Sequence, residues 1–463
     1  MEGVQNRKVK KAALHNLGCK VNSYELEAVR QLLETAGYEM VPFAPGADLY
    51  VINTCTVTNI ADRKSRQMLH RAKKMNPDAV VVAMGCYAQI AGAELEKDPA
   101  IDLVVGNNQR GKLLFLLNEY EKSGEKKDAL IDIGATREYE NLSIDRTESH
   151  TRAFLKVQDG CNQFCSYCII PYARGRVRSR ASDDVLAEVE RLAASGTREV
   201  VITGIHVCSY GTDFGEKDAL LHLLSRINET GGIDRIRLGS LEPAAITRET
   251  AAAMAKLEKL CPHFHLSLQS GCAKTLRRMN RGYTPEEYSE IVENLRSCFC
   301  DPAITTDIIT GFPGETDQDF EESRAFVEKT GFFETHIFPY SRREGTRAAS
   351  FPDQITERVK KERAQVLLDL NRRKQREYLE RQLGKETEVL IEEPAGDNAA
   401  GQVRELLAAS PQAADSRMEE ESVWWTGHTP NYCEVLVPDR LVGSPNQIVR
   451  VVPRIVLDGK LLG

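Results

Sequence analysis

The sequence predicts an α/β protein in three parts. These are an N-terminal parallel-sheet domain over residues 1–124, a central partial (β/α)6 barrel over 145–383, and a small β-barrel over 384–463. Three observations predict it. Short apolar runs alternate with helical patterns up to Glu121, and again from Arg152 to about Tyr340. Thr356–Leu383 is charged and free of Gly and Pro, so it reads as one long helix. The runs beyond it are short and β-rich.

In the first part the strands fall at Ala12–Leu17, Leu49–Asn53, Val80–Met84 and Ile101–Val105. Helices fall at Ser23–Thr35, Ala61–Lys74, Ala88–Glu96 and Gln109–Glu121. Cys19 follows the first strand, Cys55 the second and Cys86 the third. The strands of a parallel sheet point one way, so residues just past their C-terminal ends gather on one edge, where open α/β sheets bind ligands. The spacing therefore predicts that three thiols distant in the chain meet in space. Gly18 and Gly85 precede two of them and allow tight turns. Three unrelated buried thiols would be the plain alternative; their shared topological position favours a metal cluster.

Residues 125–150 are polar and read as a linker. Six β/α units follow, with strands at Ala153–Val157, Glu199–Thr203, Arg235–Leu238, His263–Leu268, Ile304–Ile309 and Thr335–Phe338. Six units fall short of a closed eight-stranded barrel, and active groups in such folds sit at the C-terminal strand ends. In the last part strands are expected at Glu388–Ile391, Cys433–Val437 and Ile448–Pro453. The Ala-, Glu- and Ser-rich stretch Glu392–Ser422 reads as a surface loop or short helix.

No apolar run is long enough to cross a membrane, and the N-terminus lacks the apolar core of a signal peptide. A cytoplasmic protein is expected. In that reducing setting the twelve cysteines are for metal or reactivity rather than disulfides. The net charge of −7 argues weakly against a nucleic-acid partner, but local basic runs stand out. Arg174, Arg176, Arg178 and Arg180 form one, and Lys274, Arg277, Arg278 and Arg281 another. Each is either a solvated face or a seat for a polyanion, and the first adjoins the most informative loop.

That loop is Cys161-Asn-Gln-Phe-Cys165-Ser-Tyr-Cys168, directly after the first barrel strand. No His or fourth Cys is in register to close a structural zinc site, which needs four ligands. Three thiolates on a four-iron cubane leave one iron open to a substrate or cofactor. Cys208, Cys261, Cys272, Cys298, Cys300 and Cys433 have no partner in pattern.

The Cys-x3-Cys-x2-Cys spacing resembles the signature of the radical S-adenosylmethionine enzymes. The resemblance widens to the methylthiotransferase family within them, over nearly the whole chain. It rests on Leu17–Glu25, Asn53–Val57, Met84–Cys86, Gly160–Gly175, Ser240–Pro243, His265–Gly271, Thr306–Glu315 and Phe338–Thr346. The C-terminal part resembles the small RNA-binding β-barrel called TRAM. Leu17–Asn22, Gly204–Gly211 and Gly427–Tyr432 most resemble the branch acting on threonylcarbamoyladenosine, except that Cys208 stands where a small residue such as Gly is expected.

The resemblance implies two [4Fe-4S] clusters, one on Cys161, Cys165 and Cys168 and one on Cys19, Cys55 and Cys86. The first would reduce S-adenosylmethionine to give a deoxyadenosyl radical; the second would carry the sulfur. It implies a tRNA partner at the anticodon region, an external electron donor and a sulfur donor. The product would be a methylthio group on carbon 2 of threonylcarbamoyladenosine-37. Isopentenyladenosine, a ribosomal-protein aspartate, or a non-catalytic iron–sulfur RNA-binding role remain alternatives. Candidate cofactor contacts are Tyr167 and the strand-end residues Ser240, Glu242, Gln269 and Asp307; His206 and His265 are weaker. Trp424, Trp425, His428 and Tyr432 are candidates to stack on RNA bases, or else form a small-barrel core.

Overall fold

The computed structural model describes residues 9–147, 151–396, 400–405 and 423–463. Most of the stretch Glu392–Ser422 therefore lies outside the described residues. The N-terminal sheet has six strands, all parallel, in the order 39–40, 11–16, 49–54, 80–85, 103–105 and 127–129. The central strands Leu49–Thr54 and Val80–Gly85 are buried almost throughout, as expected where helices cover both faces. One apolar cluster lies on each face. The expected linker is partly structured, since Lys127–Ala129 adds an edge strand beside Leu103–Val105. Three residues are too few for their periodicity to be visible in sequence.

The barrel has the six parallel strands expected and a two-residue seventh, Ser240–Leu241, just after the third. Arg152–Lys156, Glu199–Thr203 and Arg235–Leu238 pair in sequence. Ser240–Leu241, His263–Leu266, Ala303–Thr310 and Glu334–Pro339 continue the series. Alternation decides what each strand shows to the two sides. Leu155, Val200, Ile202, Ile236, Leu238, Phe264, Leu266, Ile304 and Ile308 join the core under the helices. Arg152, Lys156, Glu199, Arg235, Arg237, His263, His265, Asp307 and His336 alternate with that set, so the lumen is polar. Capping boxes at Thr284/Glu287 and Thr316/Asp319 fix the starts of helices Pro285–Cys298 and Asp317–Thr330.

The N-terminal domain covers the open side of this barrel. Helix Lys20–Thr35 packs against the first strand. After the last strand, Arg343 reaches Asp62 at 2.7 Å and Thr56 Oγ1 at 2.8 Å.

Helix Glu357–Glu380 leads to a mostly antiparallel six-stranded sheet. Its outermost strands, Ile448–Val451 and Ile455–Leu457, are only three residues apart in the chain. That link spans at most about 14 Å, whereas six flat strands would span roughly 24 Å. The sheet therefore curls toward a barrel. Trp424–His428, Ile455–Leu457 and Lys460–Leu462 are strands that the sequence pattern did not reveal.

Candidate metal centre

Strand register brings the first cysteine triad together. Asn16 lies opposite Asn53, Asn53 opposite Met84, and Thr54 opposite Gly85, so the three strands end in line. Cys19 caps helix Lys20–Thr35, Cys55 follows Thr54, and Cys86 opens helix Cys86–Ile90. Gly85 has φ +98°, and a Cβ there would fall 2.4 Å from Asn53 Oδ1 and 2.8 Å from the Thr54 carbonyl. Only glycine fits that turn. Cys19 Sγ lies 3.3 Å from Asn22 Oδ1. Burial, then the nearby Cys86, pushes the Cys55 thiol up to about 11.

The second triad sits on the loop after strand Arg152–Lys156. Gly160 has φ +74°, and a Cβ would lie 1.9 Å from the Arg176 carbonyl. The Cys161 amide donates to the Gly175 carbonyl and the Cys168 amide to the Cys165 carbonyl, both at 3.0 Å. Ser166 ties the loop to Met279 and Arg278 through their carbonyls. Burial first, then neighbouring thiols, pushes Cys168 up to about 12; burial pushes Cys161 up to about 11. Among the described residues neither triad gathers its three sulfurs within 4.8 Å, the spacing of a single-ion site. The wider spread, the all-thiol donor set and the two glycine-shaped loops fit a multi-iron cluster at each place.

The predicted polar residues lie about the second triad and the lumen. Glu242 accepts from Arg281 at 2.9 and 3.1 Å, and Arg281 Nη1 lies 3.3 Å from Cys165 Sγ. Arg281 thus turns inward, linking a thiol of the triad to a predicted cofactor residue. Lys274 and Arg277 of its run stay exposed. Cys208 Sγ accepts from the Glu242 amide at 3.3 Å, which gives that otherwise unpaired thiol a supporting place. Gln269 holds φ +73° while its backbone bridges Asp307 and Ile309. Asp307 pairs with His265 at 3.1 Å. Ser240 is exposed, and Tyr167 packs against Met279, Phe312 and Tyr340.

The first basic run is no polyanion seat. Arg174, Arg178 and Arg180 are buried, and only Arg176 is exposed. Arg174, at the end of helix Ile170–Arg174, pairs with Glu25 at 2.7 Å and Asp159 at 3.2 Å. Lys156 and Arg110 also meet Glu25 at 2.7 Å. Arg180 meets Glu188 at 2.6 Å. Burial alone would raise the Glu25 carboxyl, but Arg110, Arg174 and Lys156 outweigh it and hold it at about 2. Arg174 also lies 3.1 Å from Cys86 Sγ and donates to Asn22 at 3.2 Å. Six residues after Cys168, the chain of the second triad therefore touches a cysteine of the first.

The C-terminal sheet closes the opposite mouth of the barrel. Arg235 donates to the carbonyls of His428 and Glu388, and Arg237 to those of Pro430 and Thr429. Tyr432 is stacked between His263 and His428, at 4.7 and 4.6 Å between ring centroids. Trp424 is buried, while Trp425 is half-buried and donates to Asp439 at 2.7 Å. Trp424 is thus committed to the core, and half-buried Tyr432 has histidines against its ring rather than a face offered to RNA bases. Lys20, next to Cys19, is exposed and has no ion pair among the described residues.

Residues 155–327 match the radical SAM superfamily, and residues 11–106 match an uncharacterized protein family, UPF0004. The threonylcarbamoyladenosine tRNA methylthiotransferase MtaB of Bacillus subtilis is 40% identical over 425 residues, 92% of this chain and 89% of that protein. The Aquifex aeolicus protein of that name is 43% identical over 381 residues, 82% of this chain and 92% of its own. A tRNA-2-methylthio-N(6)-dimethylallyladenosine synthase of Pelotomaculum thermopropionicum is 38% identical over 391 residues, 83% and 87% of the two chains. Among solved structures, the radical S-adenosylmethionine methyltransferase TsrM of Kitasatospora setae shares the fold, with a TM-score of 0.54, 18% identity and 74% of each chain covered. With both cysteine triads in place and relatives of this identity along most of its length, the chain belongs to the methylthiotransferase family of radical S-adenosylmethionine enzymes, in the MtaB branch.

Proposed function

We propose that this protein adds a methylthio group to carbon 2 of N6-threonylcarbamoyladenosine at position 37 of tRNA, in the cytoplasm, with electrons and sulfur from outside donors. One observation supports the reading: Arg174, at the end of the helix that follows the second triad, bonds the Cys86 thiol of the first. Cys161, Cys165 and Cys168 would hold one [4Fe-4S] cluster, and Cys19, Cys55 and Cys86 the other. When bound, these clusters with S-adenosylmethionine supply an electron, a hydrogen-abstracting radical, sulfur and a methyl group.

The chain's own groups do the positioning. Arg281 fixes the Glu242 carboxylate beside Cys165, where it can receive the amino end of S-adenosylmethionine. Ser240 and Gln269 offer a hydroxyl and an amide with no bond to described residues, and Tyr167 offers an aromatic face. Asp307 keeps one carboxylate oxygen clear of His265. The N-terminal domain and the C-terminal plug close the lumen on two sides, which shields a reactive carbon species from water.

The test is the nucleoside content of tRNA from cells with and without the gene. Loss of methylthio-threonylcarbamoyladenosine in the deletion supports the reading. Loss of the isopentenyl counterpart, or of a ribosomal-protein modification alone, assigns another substrate.

A further inference from the structure

We propose that His265, Asp307 and His336 form a binding site for a divalent transition-metal ion, built without cysteine and sharing no residue with either triad. The site is independent of which nucleoside the protein modifies.

Strand register brings the three side chains together. Residues in register on neighbouring parallel strands share a face, as do alternate residues along one strand. His265 is in register with Thr305, two residues before Asp307, and Asp307 is in register with His336. The strands His263–Leu266, Ala303–Thr310 and Glu334–Pro339 thus each give one residue to the same part of the lumen. One ligand atom from each, two imidazole nitrogens and a carboxylate oxygen, lie within 4.8 Å of one another. His265 Nε2 is 3.1 Å from Asp307 Oδ2, and the rings of His265 and His336 stack with centroids 5.6 Å apart. Bonds of about 2.1 Å to one ion set neighbouring ligand atoms roughly 3.0–3.4 Å apart. The first pair is already at that spacing, and only His336 has to close in.

His265 and Asp307 alone would make an ordinary hydrogen bond, and two further observations point to an ion. His336 adds a third donor, makes no hydrogen bond to described residues, and is reached by solvent. Thr305 Oγ1 lies 3.0 Å from His265 Nδ1, the kind of outer partner that fixes a ligating imidazole and leaves Nε2 for the metal. The one other group of close ligating atoms among the described residues, Cys272, Asp319 and Glu322, is already engaged. Lys274 Nζ sits on Asp319 at 2.8 Å, and Asp319 caps its own helix. Two imidazoles with one carboxylate suit a first-row divalent ion such as zinc or iron(II), whereas calcium and magnesium favour oxygen donors. Three protein ligands leave a coordination position open, which water or a bound oxygen anion completes.

Zinc is the probe, because it is redox-silent. Anaerobically reconstituted protein is incubated with Zn2+, freed of loosely held metal by desalting, and analysed for zinc and iron per chain. The wild type retains one zinc with its iron unchanged. Absorption at the zinc edge shows nitrogen and oxygen neighbours at about 2.0–2.1 Å and no sulfur shell near about 2.3 Å. His336→Leu and Asp307→Asn each weaken zinc binding by at least about tenfold at unchanged iron, and Glu322→Gln does not. If Asp307→Asn loads iron poorly, His336→Leu, at the solvent-reached edge, decides alone. A wild type that keeps no zinc overturns the site. So does a sulfur shell, which puts the ion on thiols. Zinc binding that survives in His336→Leu, or that is lost in Glu322→Gln instead, places the ion elsewhere and overturns it too.

Discussion

Arg174 Nε lies 3.1 Å from Cys86 Sγ, while its Nη atoms hold Glu25 and Asp159. One side chain thus joins the helix after Cys168, the strand end at Asp159 and a cysteine of the N-terminal triad. Such hydrogen bonds to a ligand sulfur are among the means by which a protein sets a cluster's potential.

Arg174→Met should therefore act in two ways. Removing one partner from a buried ionic network costs about 3 kcal/mol or more, read as a lower urea midpoint of the apo protein. The reconstituted variant should also show a shifted midpoint potential for one cluster only, by potentiometric titration followed by electron paramagnetic resonance. Equal shifts in both clusters would contradict a contact specific to Cys86.

The two triads should separate by substitution. Cys161→Ala should lose about half its iron and all formation of 5′-deoxyadenosine. Cys55→Ala should lose about half its iron yet still cleave S-adenosylmethionine, without modifying RNA. Loss of cleavage in Cys55→Ala with the second triad loaded would argue against this division.

Gly85→Ala places a methyl group 2.4 Å from Asn53 Oδ1 at φ +98°. Strain of this kind costs on the order of 1–3 kcal/mol, and it falls on the turn that presents Cys86. Iron from the N-terminal triad should drop while that of the second triad stays, measured as iron per chain. Gly196→Ala is the control for positive φ in open space, since it has φ +94° and no atom within 4 Å of the added carbon.

Stability should fall below pH 6.5 through His263. Burial, then Arg237 and Lys20, holds this imidazole well below its usual range. The folded state therefore binds fewer protons than the unfolded one. The contribution is complete above about 6.5, the unfolded value, and is lost as pH falls. His263→Phe keeps an aromatic face against Tyr432 and should flatten the decline between pH 7 and 5, measured by chemical denaturation. An equally steep decline would place the proton elsewhere.

The placement of the N-terminal cysteines was legible because it depends on topology alone: Cys19, Cys55 and Cys86 each follow a parallel strand, and such strands end together. The barrel was legible from its six strand–helix units. The fate of the basic runs was not. Arg174, Arg178 and Arg180 look like a surface patch because charge in a sequence does not show its partners, and Glu25, which Arg174 meets, lies far away in the chain. Arg237 is buried against Glu199 on the neighbouring barrel strand, and only the docked C-terminal sheet brings Tyr432 against His263. Arg281 was hidden in a run in which Lys274 and Arg277 are exposed, and contact with Glu242 and Cys165 is what marks it. Trp424 and Trp425 are adjacent in a strand, so alternation sends one into the core and the other toward the surface.

The central claim is that two clusters act on one modified adenosine. Anaerobically reconstituted protein should be incubated with reductant, S-adenosylmethionine and tRNA carrying threonylcarbamoyladenosine, and the nucleosides read by mass spectrometry. The account predicts a methylthio group on that nucleoside together with 5′-deoxyadenosine. Unchanged tRNA from protein holding roughly eight irons would contradict it.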